Sequence, residues 1–218
     1  DRLDEPTLTR LGIPVANVPG GSNSALAEYV VTAASVLLRR FAWGDHEVRA
    51  GRYGEFRAAA VAANLPGLHG LTVGIVGMGT IGLAVAKALR AYECEILFYD
   101  PSPRDPLAAA WLGATPVNLD ELLARSDVVT LHVPLIPATR GMIGAPQLAM
   151  MKNGAILINA ARGGIVDEAA LAAALRSGRL GGAAVDVYPV EPPEAPDPPL
   201  AVDGAPASRL PLTPHIAG

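Results

Sequence analysis

Thr72-Val-Gly-Ile-Val-Gly-Met-Gly-Thr-Ile-Gly82 is the stretch that decides the fold of this chain. A short apolar run of β type breaks into Gly77-x-Gly79-x-x-Gly82 and then into a helical pattern, Leu83 to Ala91. A dinucleotide pyrophosphate needs this order. The first glycine makes the tight turn, the second lets the backbone approach the phosphates, and the third lets helix and strand pack closely. The free amides and positive dipole end of the helix then hold the anion. Glycines also mark ordinary βα turns, so context decides. Here a second strand-like run, Glu95-Ile-Leu-Phe-Tyr99, follows the helix and ends on Asp100, 18 residues past Gly82. That is close to the roughly 20 expected for a carboxylate that meets the adenosine ribose.

Composition narrows the function classes. With 218 residues, 50% hydrophobic and 17% charged, the chain fits a soluble globular α/β protein of one domain with attachments. A net charge of −4 leaves no basic footprint for nucleic acid. The single Cys94 rules out an internal disulfide framework and suits a reducing compartment, so a cytoplasmic location is expected. No apolar run reaches the roughly 18 residues of a membrane helix; the longest, Ala25 to Leu38, is interrupted by Glu28. One Cys and four scattered His show no metal-ligand spacing, and no nucleophile elbow is present. The opening, Asp1-Arg-Leu-Asp-Glu-Pro6, reads as a piece of something longer.

Along the chain, a short strand is expected at Ile13–Asn17, a long helix at Ser24–Phe41 buried on most sides, and an irregular connection at Gly44–Pro66. From Leu71 onward β and α signals alternate. Helices are expected at Leu107–Leu112, at Leu119–Arg125 behind a capping-box-like Asn118 and Glu121, at Pro146–Lys152, and from Asp167 to a stop at Gly178. Strands are expected at Thr115–Asn118, Asp127–Leu131, Ala155–Asn159, Ala183–Val187 and Leu210–Thr213. Nine prolines between Pro189 and Pro214 imply a stiff loop. Short apolar strands alternating with helices predict an α/β fold, a doubly wound parallel sheet covered on both faces.

In such sheets ligands bind beyond the carboxyl ends of the strands. Just past those ends stand Asp100, His132-Val-Pro134, Asn159-Ala-Ala-Arg162-Gly-Gly, Asp186 with Glu191, and His215. Taken alone, Arg162 reads as a loop cation, Glu191 as a loop acid and His215 as a surface histidine. Together on one sheet edge beside a dinucleotide site, they divide a chemistry among themselves. Arginine offers a planar fork for a carboxylate. A histidine can move a proton near neutral pH, and a neighbouring glutamate can orient it. Nicotinamide reduction of an oxo acid needs these three roles.

Four ordered motifs carry a resemblance over almost the whole chain: Val73–Gly82; Asn159-Ala-Ala-Arg-Gly-Gly-Ile-Val-Asp-Glu168; Gly182-Ala-Ala-Val-Asp-Val187 through Glu191-Pro192; and Leu212-Thr-Pro-His-Ile-Ala-Gly218. They resemble the D-isomer-specific 2-hydroxyacid dehydrogenases. The resemblance implies a Rossmann-type NAD-binding domain with its substrate domain largely absent. Residues 1–21 would be a remnant of that domain and 22–218 the dinucleotide-binding domain. Within the latter, 22–43 would be an interdomain helix that often packs in a homodimer, and 67–218 the Rossmann core. Arg162 would bind the substrate carboxylate, His215 would be the acid/base and Glu191 its partner. NAD would be held by Gly77, Gly79, Thr80, Ile81, Gly82, Asp100, His132, Val133, Pro134, Thr139, Ala160, Ala161, Arg162, Asp186 and His215, with Asp100 on the adenosine ribose and Asp186 at the nicotinamide carboxamide. The implied activity is hydride transfer between NAD(H) and a small-molecule 2-oxo/2-hydroxy acid pair of (R) configuration. The 218-residue piece alone is expected to turn over poorly. The alternative is a non-catalytic NAD(H)-sensing, corepressor-like module; retention of Arg162, Glu191 and His215 together favours the enzyme. Leu200–Pro211 departs from the family in being longer than the usual segment before Thr-Pro-His.

Overall fold

A computed structural model describes residues 4–16, 21–192 and 209–218. In chain order the elements are α1 (Glu5–Arg10), α2 (Asn23–Leu38), α3 (Phe41–Arg49), α4 (Tyr53–Ala62), β1 (Thr72–Val76), α5 (Thr80–Leu89), β2 (Glu95–Tyr99), α6 (Pro106–Trp111), β3 (Ala114–Pro116), α7 (Leu119–Arg125), β4 (Val128–Leu131), α8 (Ala145–Met150), β5 (Ile156–Asn159), α9 (Glu168–Arg176) and β6 (Gly182–Val185). The strands form one six-stranded sheet in the order β3-β2-β1-β4-β5-β6, every pair parallel. The chain reverses direction across the sheet between β1 and β4, and the crevice at that switch point is where such folds take a ligand.

The alternation of side chains explains why each strand reads apolar throughout. Val73, Ile75, Ile96, Phe98, Val128, Ile156, Ile158 and Ala184 enter one buried cluster, closed by Ala27, Val30, Ala34 and Leu37 of α2 and Val85, Ala86 and Leu89 of α5. Their neighbours Val76, Leu97, Val129, Leu131, Leu157, Ala183 and Val185 enter the other, closed by Leu122, Leu123, Leu148, Leu171 and Leu175 from α7, α8 and α9. A strand buried on both faces has no polar side to show. At the opposite edge from the site, Asp127 ties the strand starts together, accepting from Thr72 N at 2.9 Å and Lys152 Nζ at 2.8 Å.

Caps set the helix starts. Asn118 Oδ1 accepts from Glu121 N at 2.8 Å and Asp167 Oδ1 from Ala170 N at 3.0 Å. The Glu121 carboxylate goes to Arg125 at 2.7 Å rather than completing a capping box. Gly178 closes α9 with φ of +74°.

Four expectations need correction. No strand forms at Ile13–Ala16, and Asn17 lies outside the described residues. The long helix ends at Leu38, where Arg40 turns left-handed, and it is buried along one stripe rather than on most sides; Ser24, Ala25, Glu28 and Thr32 are exposed. The connection expected at Gly44–Pro66 holds α3 and α4. It buries no residue of either helix, so no apolar stripe marks it in the sequence. Local pairs hold it instead: Trp43 meets Phe56 edge-to-face at 5.1 Å, and Arg49 and Arg52 reach Asp45 and Glu47. Finally, Leu210–Thr213 makes only a single parallel bridge, Leu212 to Val185, and not a strand. The proline-rich loop and the long Leu200–Pro211 segment fall mostly at 193–208, outside the described residues.

Candidate active site

The glycine turn has the shape its spacing implies. Gly77 sits at φ of +98°, and a Cβ there would come within 2.7 Å of His132 O. A Cβ on Gly82 would come within 2.1 Å of Gly77 O, so only glycine allows α5 to start this close to β1. Beside Gly79 there is open space, and no side chain caps α5. The amides of Thr80, Ile81 and Gly82 therefore begin a ten-residue helix without side-chain acceptors, a fit for a pyrophosphate.

Asp100 is fastened to that turn. Its Oδ2 accepts from Met78 N at 2.7 Å and its Oδ1 from Ser102 N at 2.8 Å. Each oxygen keeps a lone pair for a ribose hydroxyl. Arg104 is exposed, and its backbone amide donates to Met78 O at 3.3 Å.

His132 leaves the end of β4 next to Gly77. Its Nε2 lies 2.9 Å from Thr130 Oγ1, while its buried Nδ1 finds no partner among the described residues. Burial pushes its pKa down to about 4, so the ring is neutral. Val133 packs on the core, and Thr139 Oγ1 closes its own turn through Ile136 N at 2.9 Å and Pro134 O. The fold thus places His132, Val133, Pro134 and Thr139 in one loop beside the glycine turn.

The Arg162 loop is built by Asn159, the first residue of its motif. Asn159, 3% exposed at the end of β5, donates through Nδ2 to Arg162 O at 3.1 Å and accepts from Ala161 N at 3.2 Å. Ala160 joins Leu26, Ala217 and Ile81 in a small cluster, which brings the α2, α5, β5-loop and chain-end segments to one point. The guanidinium of Arg162 donates to Ala161 O at 2.6 Å. One residue on, Gly163 is pressed against the next loop. A Cβ there would fall 1.9 Å from Tyr188 C and 2.3 Å from Pro189 N. The loop bearing Arg162 and the loop bearing Glu191 are therefore in backbone contact.

Glu191 bridges its own loop to the chain end. Oε1 accepts from Tyr188 N at 3.1 Å, and Oε2 lies 2.7 Å from His215 Nδ1. His215 has φ of +57°, in the left-handed region that non-glycine residues enter at a cost, and such residues persist where the surroundings over-determine them. Asp186, with 0% exposure, spends its carboxylate on the same segment: Thr213 Oγ1 at 2.6 Å, Ile216 N at 3.0 Å and Ala217 N at 2.8 Å. Tyr188 donates to Thr213 O at 3.0 Å, and Tyr29 Oη meets Thr213 Oγ1 at 2.7 Å. Tyr188 and Thr213 lie inside the motif stretches with no signal of their own, and Tyr29, in the long-helix pattern, has none.

A glycine turn at the switch point of a six-stranded parallel sheet, opening a helix whose first amides meet no side-chain acceptor, defines a dinucleotide-binding domain. The chain belongs to the D-isomer specific 2-hydroxyacid dehydrogenases: the description of that family's NAD binding domain matches residues 31–217. It is 40% identical over 217 residues to a D-3-phosphoglycerate dehydrogenase of Archaeoglobus fulgidus, covering all of this chain and 39% of that protein. It is 39% identical to a glycerate dehydrogenase of Methylorubrum extorquens, covering all of this chain and 66% of the relative. Among solved structures, a D-lactate dehydrogenase with NAD+ from Lactobacillus jensenii superposes with a TM-score of 0.83 at 32% identity, over 99% of this chain and 65% of the other. The chain thus spans less than two thirds of these relatives. Among the described residues no helix is long and apolar enough to cross a membrane.

Proposed function

We propose that this chain is the NAD-binding part of an oxidoreductase that interconverts a 2-oxo acid and an (R)-2-hydroxy acid. NAD(H), when bound, supplies or accepts the hydride. The observation that carries the reading is the 2.7 Å contact between Glu191 Oε2 and His215 Nδ1. With Nδ1 engaged by the carboxylate, Nε2 is the nitrogen left to exchange a proton with the substrate oxygen. His215 gives that proton during reduction and takes it back during oxidation. Glu191 fixes the ring and stabilises the imidazolium. Arg162 offers its fork to the substrate carboxylate, and backbone contact at Gly163 keeps it registered with Glu191.

Gly77, Gly79, Thr80, Ile81 and Gly82 would hold the pyrophosphate and Asp100 the ribose. His132, Val133, Pro134, Thr139, Ala160 and Ala161 would wall the crevice. Asp186 would approach the carboxamide while anchoring the chain end. Dinucleotide sensing alone asks for no paired His and Glu, so the contact favours the enzyme over a corepressor-like module. The proposal includes a homodimer, since α3 and α4 leave Phe41, Val48, Tyr53 and Val61 half exposed or more. It includes a cytoplasmic setting, which suits the free thiol of Cys94. NADH consumption by the full-length protein with glyoxylate, hydroxypyruvate, phosphohydroxypyruvate and pyruvate tests the activity. Failure to oxidise NADH with any 2-oxo acid overturns it.

A further inference from the structure

Two hydroxyls join α2 to the segment that carries His215. Tyr29 Oη lies 2.7 Å from Thr213 Oγ1, and Thr213 Oγ1 lies 2.6 Å from Asp186 Oδ1. The direction of this chain follows from counting protons. Asp186 also receives the amides of Ile216 and Ala217, so its oxygens act as acceptors throughout. The single hydroxyl proton of Thr213 therefore goes to Asp186, and Thr213 must accept from Tyr29. Burial pushes the Tyr29 phenol above its ordinary range, against the opposing pull of the Thr213 hydrogen bond and with a smaller push from the Asp186 charge, which keeps it a donor.

The Thr213–Ala217 segment is thus fastened on both sides of His215. Thr213 is held through its hydroxyl by Tyr29 and Asp186 and through its carbonyl by Tyr188. Ile216 and Ala217 are held by Asp186. Between these anchors His215 keeps its left-handed backbone and its contact with Glu191. The titratable groups facing this network are Asp186, Tyr188, Glu191 and, at the head of α9, Glu168.

We propose that Tyr29 is a positioning residue for proton transfer: through Thr213 and Asp186 it sets the placement of His215 and ties it to the position of α2. The role rests on the reading of His215 as the acid/base. α2 is packed on the sheet by Ala27, Val30, Ala34 and Leu37, so the hydroxyl of Tyr29 is presented from a rigid support. A displacement of α2 relative to β6 would be felt first at Thr213.

The test compares full-length wild type with Tyr29→Phe, Thr213→Val, Thr213→Ser and His215→Ala. Each is assayed for kcat and KM, for NADH binding by fluorescence, and for Tm. Tyr29→Phe keeps the ring and removes one hydrogen bond, and is expected to lower kcat about 5-fold, the weight of one neutral hydrogen bond. NADH affinity and the KM for the oxo acid should stay unchanged while kcat falls, the split expected of a group that positions the proton donor rather than one that binds. Thr213→Val should lose more, and Thr213→Ser should restore turnover. An unchanged kcat in Tyr29→Phe overturns the proposal, as does a change confined to KM, NADH affinity or Tm. If Thr213→Val does not fold, Tyr29→Phe still decides. Retained turnover in His215→Ala overturns the acid assignment itself, whereas collapse there with an indifferent Tyr29→Phe overturns the positioning role alone.

Discussion

Glu191 Oε2 and His215 Nδ1 meet at 2.7 Å across 24 residues of chain, with the His215 side chain 37% exposed and that of Glu191 22% exposed. The histidine is half open to a visitor, while the glutamate works from behind it. A carboxylate so placed can stabilise a charged ring and fix its orientation without touching the substrate.

Replacing either partner should separate these roles. His215→Ala is expected to lower kcat for 2-oxo acid reduction by about 10²–10⁴-fold, with NADH affinity nearly unchanged. Glu191→Gln should be milder, because the amide oxygen can still accept from the ring and orient it but carries no charge. Arg162→Ala should show mainly as a raised KM. Steady-state kinetics across pH in the full-length protein checks all three, and a His215→Ala variant with wild-type kcat would sink the mechanism.

NAD should be preferred over NADP. Asp100 is held in place by Met78 N and Ser102 N, and it would repel a 2′-phosphate at the ribose. Calorimetric titration of both dinucleotides is the check; Asp100→Ser should narrow the difference, and tighter binding of NADP(H) by the wild type would refute the assignment.

Gly163→Ala should do more damage than its size suggests. The added Cβ would sit 1.9 Å from Tyr188 C, a backbone atom that cannot swing aside. A loss of about 3 kcal/mol is expected, at the upper end for overpacking, along with a lowered kcat as the Glu191 loop is displaced. Gly54→Ala in α4, where a Cβ meets nothing within 4 Å, should be neutral or stabilise by roughly 0.5–1 kcal/mol. Urea midpoints for the two variants would distinguish a close-packed glycine from an incidental one.

His132 should make stability depend on pH below neutrality. The folded ring protonates only at about 4, whereas an unfolded one does so at its ordinary 6.5. Between those values the unfolded chain binds a proton that the folded chain refuses. Stability therefore falls as pH drops from 6.5 toward 4, by at most about 1.4 kcal/mol per pH unit, and is unaffected by this group above 6.5. His132→Gln should shrink the difference between urea midpoints at pH 5 and pH 7, and an undiminished difference would show that the ring is not the source.

The sheet was legible because its strands bury both faces: Val73 and Ile75 go one way, Val76 the other, and a continuous apolar run results. The candidate site was legible where chemistry forces residue type, as at Gly77, Gly82, Arg162 and His215. What escaped was geometry without periodicity. α3 and α4 bury nothing, so their pattern is silent. Leu210–Thr213 has strand composition but pairs at one residue only, because Asp186 and Tyr188 draw the segment away toward the crevice. The Tyr29–Thr213 contact spans 184 residues, and no local spacing announces such a pair.

The placement of β1 at the middle of the sheet has a consequence for how the chain reaches this state. β1 is made before the other strands of its sheet, yet one of its two neighbours, β4, is joined to it through Thr72 and Asp127, 55 residues apart. During synthesis β1 and β2 can pair early, but the other edge of β1 waits with its backbone groups unpaired, between faces bearing Val73, Ile75 and Val76, until β4 emerges. Non-local parallel pairing of this kind is slow, and an uncovered apolar edge invites a second chain to add to it. A chain cut between α7 and β4 would keep the whole glycine turn and Asp100, yet should aggregate rather than bind.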